Sequence, residues 1–344
     1  LIKNSHQFSG ARVNPIIIVV AAVVAVLALL LVINPPQVVD GPTSPPTSPP
    51  VVDEETSNDE TTDSDNNNTT DNQNGTTDTS NSQDTQEMST AECATDPDEQ
   101  RDGVWRAQMD SDTQAILEQI ISSHGGLEKL ISLCTIHGVG ESTLSTQGQT
   151  VDSEVELWLR IPNQVRNLVK VPLPVPGQFI ETLIVWEGSI GWTKAPNPQT
   201  FQVEVTELPG ELKVQAIEEI ELHPVLSLLS VQDAGASFTY VGTDHEANEG
   251  AHAIEFRTEL GSTGTFFYDP ETFQTVSLLR QGGGRTVMKQ YENYKSVSGF
   301  TVPHTIVTHL EDPQVGQLDT TLSYESISIN SELDPALFEK PESN

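Results

Sequence analysis

Eight histidines and two cysteines are the residues of this 344-residue chain best suited to ligate a metal or attack a substrate. Their spacing is therefore the first test of its chemistry. Transition-metal sites draw ligands at short intervals, such as Cys-x-x-Cys or His-x-x-x-His. None of His124, His137, His223, His245, His252, His304 and His309 forms such a pair. His304 and His309 fall on one stretch of strand periodicity, but five apart, which places them on opposite faces. The chain has no Gly-x-Ser-x-Gly elbow, and Gly282-Gly283-Gly284-Arg285 joins two expected strands instead of opening a helix, so it does not read as a phosphate loop. Carboxylates are numerous enough to pair by chance, which leaves paired-acid hydrolysis unsupported. The expectation is a protein that is not an enzyme, with no catalytic residues, no metal and no cofactor. Cys93 and Cys134 lack the context of a nucleophile; they read either as one free and one buried thiol or, in an oxidising compartment, as a disulfide.

Charge narrows the partners. The formal net charge is −34, and residues 35–112 carry 19 acidic side chains against two basic ones. Residues 113–344 are acidic as well, with 31 against 12. Phosphate backbones need a basic surface, so nucleic acid is excluded, and charge-driven docking on anionic headgroups is disfavoured for the same reason.

Four segments follow from composition. Residues 1–15 hold Lys3 and Arg12, and Ile16 to Ile33 is an unbroken run of 18 apolar residues. At about 1.5 Å per residue the run spans about 27 Å, close to a hydrocarbon core. It is longer than a signal-peptide core and lacks a small-x-small cleavage site, so it reads as an uncleaved transmembrane helix over 16–34. The basic residues before it and the acidic ones after it put residues 1–15 in the cytoplasm and the remainder outside. Residues 35–110 begin with three Pro-Pro pairs and continue in Asp, Glu, Asn, Ser and Thr, a composition that cannot offset its ordering entropy and reads as a disordered stalk. Residues 111–344 read as one globular domain.

Within that domain Thr113 to Ser123 has a helical stripe of Ile116, Leu117, Ile120 and Ile121, with Asp110 to Asp112 as cap residues and Gly125-Gly126 as its end. Leu127 to Leu133 adds a turn or two, and Pro209 to Leu222 reads as a further helix. Elsewhere the period is two: Val151 to Arg160, His252 to Leu260 and Phe300 to Leu310 alternate apolar with polar residues. Turn signals at Gly140, Gly148, Pro162-Asn163, Glu187-Gly188, Asp269-Pro270-Glu271, Gly282-Gly283-Gly284 and Ser298-Gly299 separate the runs. The expected fold is α+β and mainly antiparallel: an incomplete, half-open β-barrel of about ten strands wrapped on helices. Its mouth would suit an apolar ligand.

From His124 onward the motifs fall in a telling order: His124-Gly125-Gly126 with Leu127, Leu130 and Ile131; Gly138; Trp158 before Pro162-Asn163-Gln164-Val165-Arg166; Glu187-Gly188-Ser189-Ile190-Gly191-Trp192; Leu208-Pro209-Gly210-Glu211-Leu212; Tyr268-Asp269-Pro270-Glu271-Thr272; Gly299-Phe300-Thr301-Val302-Pro303; and Leu337-Phe338-Glu339-Lys340-Pro341. In this order the chain resembles the bacterial outer-membrane lipoprotein carrier superfamily, the LolA/LolB-like lipoprotein-sorting domains. The resemblance implies an incomplete antiparallel barrel closed by helices, with an apolar cavity for acyl chains. The transmembrane tether and the strong acidity depart from soluble carriers.

Leu157, Leu159, Val165, Ile184, Trp186, Trp192, Phe256, Phe267 and Leu279 are the residues expected to line that cavity. The expected partner is a lipid acyl chain or a lipidated protein, with membrane contact through residues 16–34. The expected place is the inner membrane, single-pass, with the domain in the periplasm. The alternative is a ligand-free envelope interaction or sensor module displayed on a stalk.

Overall fold

The computed structural model describes residues 102–341, save 147, 174, 189, 198, 199, 201, 209–219, 221, 260, 283, 314 and 315. The expected anchor, nearly all of the stalk and most of the helix expected from Pro209 lie outside the described residues. No helix among the described residues is long and apolar enough to cross a membrane.

The chain enters the domain through helix α1, Ser111–Ser123. Asp110 caps it: its carboxylate accepts the Thr113 N–H at 2.8 Å, satisfying a donor that the first helical turn leaves free. At the other end the Gly126 N–H donates to Ile121 O at 2.9 Å and the Gly125 N–H to Ser122 O at 3.2 Å, the paired closure that ends many helices. Gly125 has φ +115°, and a Cβ there would stand 2.8 Å from Gly299 O, so only glycine lets the helix end approach that turn so closely. A short helix α2, Leu127–Ile131, follows.

Thirteen strands make one sheet: β1 Thr135–Thr146, β2 Gln149–Arg160, β3 Gln164–Pro172, β4 Phe179–Glu187, β5 Ile190–Pro196, β6 Val203–Glu207, β7 Ser237–Gly242, β8 His252–Arg257, β9 Thr263–Tyr268, β10 Thr275–Gly282, β11 Arg285–Val297, β12 Phe300–Asp312 and β13 Gly316–Ile329. Every pair of neighbours is antiparallel. The spatial order runs β6 to β1, then β13 back to β7. Two meanders are thus joined where the last strand pairs with the first. Strands β6 and β7 are the edges and do not pair with each other, so the sheet is open. The β7 edge is partly shielded by Gln108, which bridges to Ser237 and accepts the Phe238 N–H at 2.9 Å, a cover for backbone groups that would otherwise invite another strand.

The expected count of about ten strands is corrected to thirteen, and Gly140 needs a correction of its own. It is no turn: it lies inside β1 at a register shift opposite β13. A Cβ there would stand 2.1 Å from Ser323 O. The glycine permits a bulge, and the strand continues through it.

One face of the sheet, called inner here, carries α1, α2 and the 3-10 helix η1, Leu226–Gln232. Leu117, Ile120 and Leu130 of the helices and Leu226 and Leu228 of η1 share a core with Ile136, Leu159, Trp186, Ile254, Phe266 and Leu278 of the strands. The outer face is covered locally by the C-terminal segment: Phe338, just after the 3-10 turn η2 (Pro335–Leu337), packs on Val185 and Trp192.

Candidate ligand-binding face

Residues paired across antiparallel strands lie on the same side of a sheet, so the register sorts the candidates. Across the first meander the top inner row is Ile136, Leu159, Val165, Trp186 and Gly191. Gly191 is required: a Cβ there would meet the Trp186 ring at 2.1 Å, so the ring lies over the neighbouring strand. The next row is Gly138, Leu157, Asn167, Ile184 and Thr193, and the one below it is Gly140, Val155, Val169 and Thr182. Ser142, Ser153 and Val171 follow.

The top row belongs to the helix-packed core. Lower down the inner face changes. Val155, Val169 and Val171 are buried in a cluster of their own with Val151 and Leu322, apart from the core that contains the helices. Leu144, Val287, Leu310 and Leu318 form a second such cluster on the neighbouring strands. Apolar side chains thus continue down the inner face beyond the reach of α1, α2 and η1.

Of the nine residues expected to line a cavity, six are on the inner face. Leu159, Val165, Ile184, Trp186 and Phe256 are buried in the main core, and Leu157 packs against it half-buried. The other three are placed differently. Trp192 pairs with Val185, not Trp186, so it points outward, where its Nε1 donates to Phe338 O at 3.3 Å. Phe267 pairs with Ala253, and Leu279 with Thr265, both on the outer face; they pack with Ala251 and Ala253. The cause is phase. Phe266, Phe267 and Tyr268 are consecutive and all nearly fully buried. A strand buried on both faces gives no alternation from which to read its inner side.

The residues that the sequence reading missed are Asn167, Val169 and Val171. Their signal was the alternation of Val165, Asn167, Val169 and Val171 along β3, blurred because the outward positions include Leu168. Asn167 is the polar member of an otherwise apolar stretch. Its Oδ1 is buried without a hydrogen-bond partner among the described residues.

Titratable groups of the inner face concentrate near the helix ends. His124, the α1 C-cap, is fully buried, and its Nδ1 lies 2.9 Å from Thr301 O. Burial lowers its pKa. His223 is pushed down to about 3 by burial, with the charge of Lys289 and the proximity of His124 adding to the shift. On the outer face Glu156 accepts from Trp158 Nε1 at 3.1 Å and lies 3.2 Å from His137 Nε2 and 3.5 Å from Arg166 Nη1. Partial burial works to raise its pKa, but the Trp158 hydrogen bond and Arg166 outweigh it, and the net direction is down. Among the described residues no group of three His, Cys, Asp or Glu side chains is placed to hold a metal. Cys134 is disulfide-bonded; the other cysteine of the sequence, Cys93, lies outside the described residues.

No protein-family model matches the chain, and no curated protein matches it. Solved structures do resemble it. A DUF1329 family protein from Desulfovibrio piger is 10% identical with a TM-score of 0.45, covering 66% of this chain and 97% of that one. A LolA superfamily protein from Nitrosomonas europaea is 13% identical with a TM-score of 0.42, covering 66% and 97%.

Proposed function

We propose that the chain is a membrane-tethered, extracytoplasmic binding protein that holds the acyl chain of a lipid or lipidated protein on the inner face of its sheet, without catalysis. In this reading the open sheet is the wall of a half-barrel, and residues 16–34 keep it near the bilayer. The observation that carries the proposal is the valine patch of Val155, Val169 and Val171, which extends the apolar inner face below the helix-packed core. Burying a methylene contributes about 0.8 kcal/mol, so a fourteen-carbon chain needs little beyond such a surface. The oxidised state of Cys134 suits a compartment outside the cytoplasm.

The test is photo-crosslinking of the full chain in membranes to a diazirine-bearing monomyristoylglycerol, with the labelled peptides mapped by mass spectrometry. The anchor will label in any case. Labelling of residues 149–187 is expected. Its absence, with a protein partner captured instead, favours a ligand-free interaction module and ends the lipid proposal.

A further inference from the structure

Asn167 sits where the helix-packed core ends and the valine patch begins. Its row neighbours are Leu157 on β2 and Ile184 on β4. Val169 and Val171 follow it down the same face of β3, the second about 13 Å away at the rise of a strand. On the far side of Leu157 the row continues through Gly138 to Ile327; a Cβ at Gly138 would meet the Tyr324 ring at 2.5 Å, so that ring lies against the row. An amide in such surroundings is costly to bury unless its oxygen accepts a hydrogen bond, and Asn167 Oδ1 has no partner among the described residues. A leucine would fit the row at no such cost.

We infer that Asn167 is a specificity-determining residue that accepts a hydrogen bond from the polar end of the bound lipid, whose chain lies along Val155, Val169 and Val171. This rests on the lipid-binding proposal and adds a substrate class to it. The ligand carries a donor at the head of its acyl chain: a hydroxyl, as in an acylglycerol, or an N–H, as in a fatty amide. An ester with no donor leaves Oδ1 unpaired, and a site built around a hydrogen bond rejects an analogue that lacks it far more strongly than an apolar pocket rejects a change of size.

The experiment competes unlabelled lipids against the diazirine-bearing monomyristoylglycerol on the full chain, read at the peptides of residues 149–187. Monomyristoylglycerol and myristamide are expected to compete at concentrations about tenfold or more below methyl myristate. Asn167→Leu is expected to erase the preference while leaving the thermal midpoint unchanged or higher. Asn167→Asp, which keeps an acceptor, is expected to retain it. Equal competition in the wild type, or an unchanged preference in Asn167→Leu, overturns the inference, the amide then being satisfied by buried water alone. No labelling of these peptides overturns the lipid proposal and this inference together.

Discussion

The two meanders of the sheet bury their inner faces in different ways. In β7–β10 the inner face is aromatic: Phe238, Phe256, Phe266 and Tyr268 stack beneath α1 with Leu278, all nearly dry, and Phe256 and Phe266 lie 4.9 Å apart between ring centroids. In β1–β4 the same face is aliphatic below its top row, with valines, small hydroxyl residues and one amide. Large flat rings fill space and fix a helix; short branched side chains fill less of it, although Val155, Val169 and Val171 are buried as well. The proposed lipid site assigns the aromatic half to scaffold and the aliphatic half to the ligand.

That contrast can be broken most directly at Phe266. Phe266→Ala removes a side chain only 1% exposed and should cost about 3–5 kcal/mol in urea unfolding. Val169→Ala should cost only about 1–2 kcal/mol, in line with two lost methylene equivalents, yet it should weaken lipid crosslinking more than any surviving substitution among the aromatics. If Val169→Ala is silent in crosslinking while milder aromatic variants abolish it, the assignment of the halves is inverted.

The next effect falls at the start of β1. Cys134→Ser should lower stability by about 2–4 kcal/mol, as loss of a native disulfide does, and reductant should have no further effect on the variant. A wild type insensitive to reductant would show that the aliphatic half needs no covalent support.

A smaller effect tests the seam where the helices meet the sheet. His223 is held neutral, its pKa near 3 because burial, Lys289 and His124 all oppose its charge. Unfolded, it titrates near 6.5. Between those values the unfolded chain binds a proton that the folded chain does not, so stability is complete above about pH 6.5 and falls as the pH drops toward 3. The slope is about 1.4 kcal/mol per pH unit for one such histidine. His124, lowered in the same direction, steepens it. Urea midpoints between pH 7 and 5 should follow this line, and His223→Leu should flatten it; an unchanged slope would place the acid sensitivity elsewhere.

How far the sequence was legible follows from the same contrast. The α1 boundaries were readable because each end carries its own chemistry: Asp110 at the cap and two glycines at the close. The hairpins at Asn163, Gly188 and Ser298-Gly299 were readable because their turns need particular residues; Gly188, Ser298 and Gly299 have positive φ. Gly140 misled, because glycine serves both turns and bulges and only the register against β13 tells them apart. The inner face of β1–β4 was legible where alternation was clean, which put Leu157, Leu159, Val165, Ile184 and Trp186 on one side of the sheet. It failed on β9, where Phe266, Phe267 and Tyr268 are buried in succession, at Leu279 of β10, which follows the inward Leu278, and at Trp192 of β5, where Gly191 and not the tryptophan faces inward. Nothing local marks Asn167 as special, since its meaning depends on Leu157 and Ile184, brought beside it from neighbouring strands.

Trp192 supplies the finest test, because it sets the two faces against each other on one pair of strands. It was a candidate for the lining, yet its ring is buried outward among Val185 and Phe338, and its one polar atom donates to Phe338 O. Trp192→Phe keeps most of the packing and removes that hydrogen bond, so it should cost about 0.5–1.5 kcal/mol. The loss should appear first as faster proteolysis of the C-terminal segment, which is also tied to the sheet by the packing of Phe338 and Leu337 and by Lys340 Nζ at 2.6 Å from Glu207 Oε1. Lipid labelling of residues 149–187 should be unaffected. If labelling falls in step with the loosened segment, the outer face shapes the ligand site, and the division between a binding side and a supporting side of this sheet is wrong.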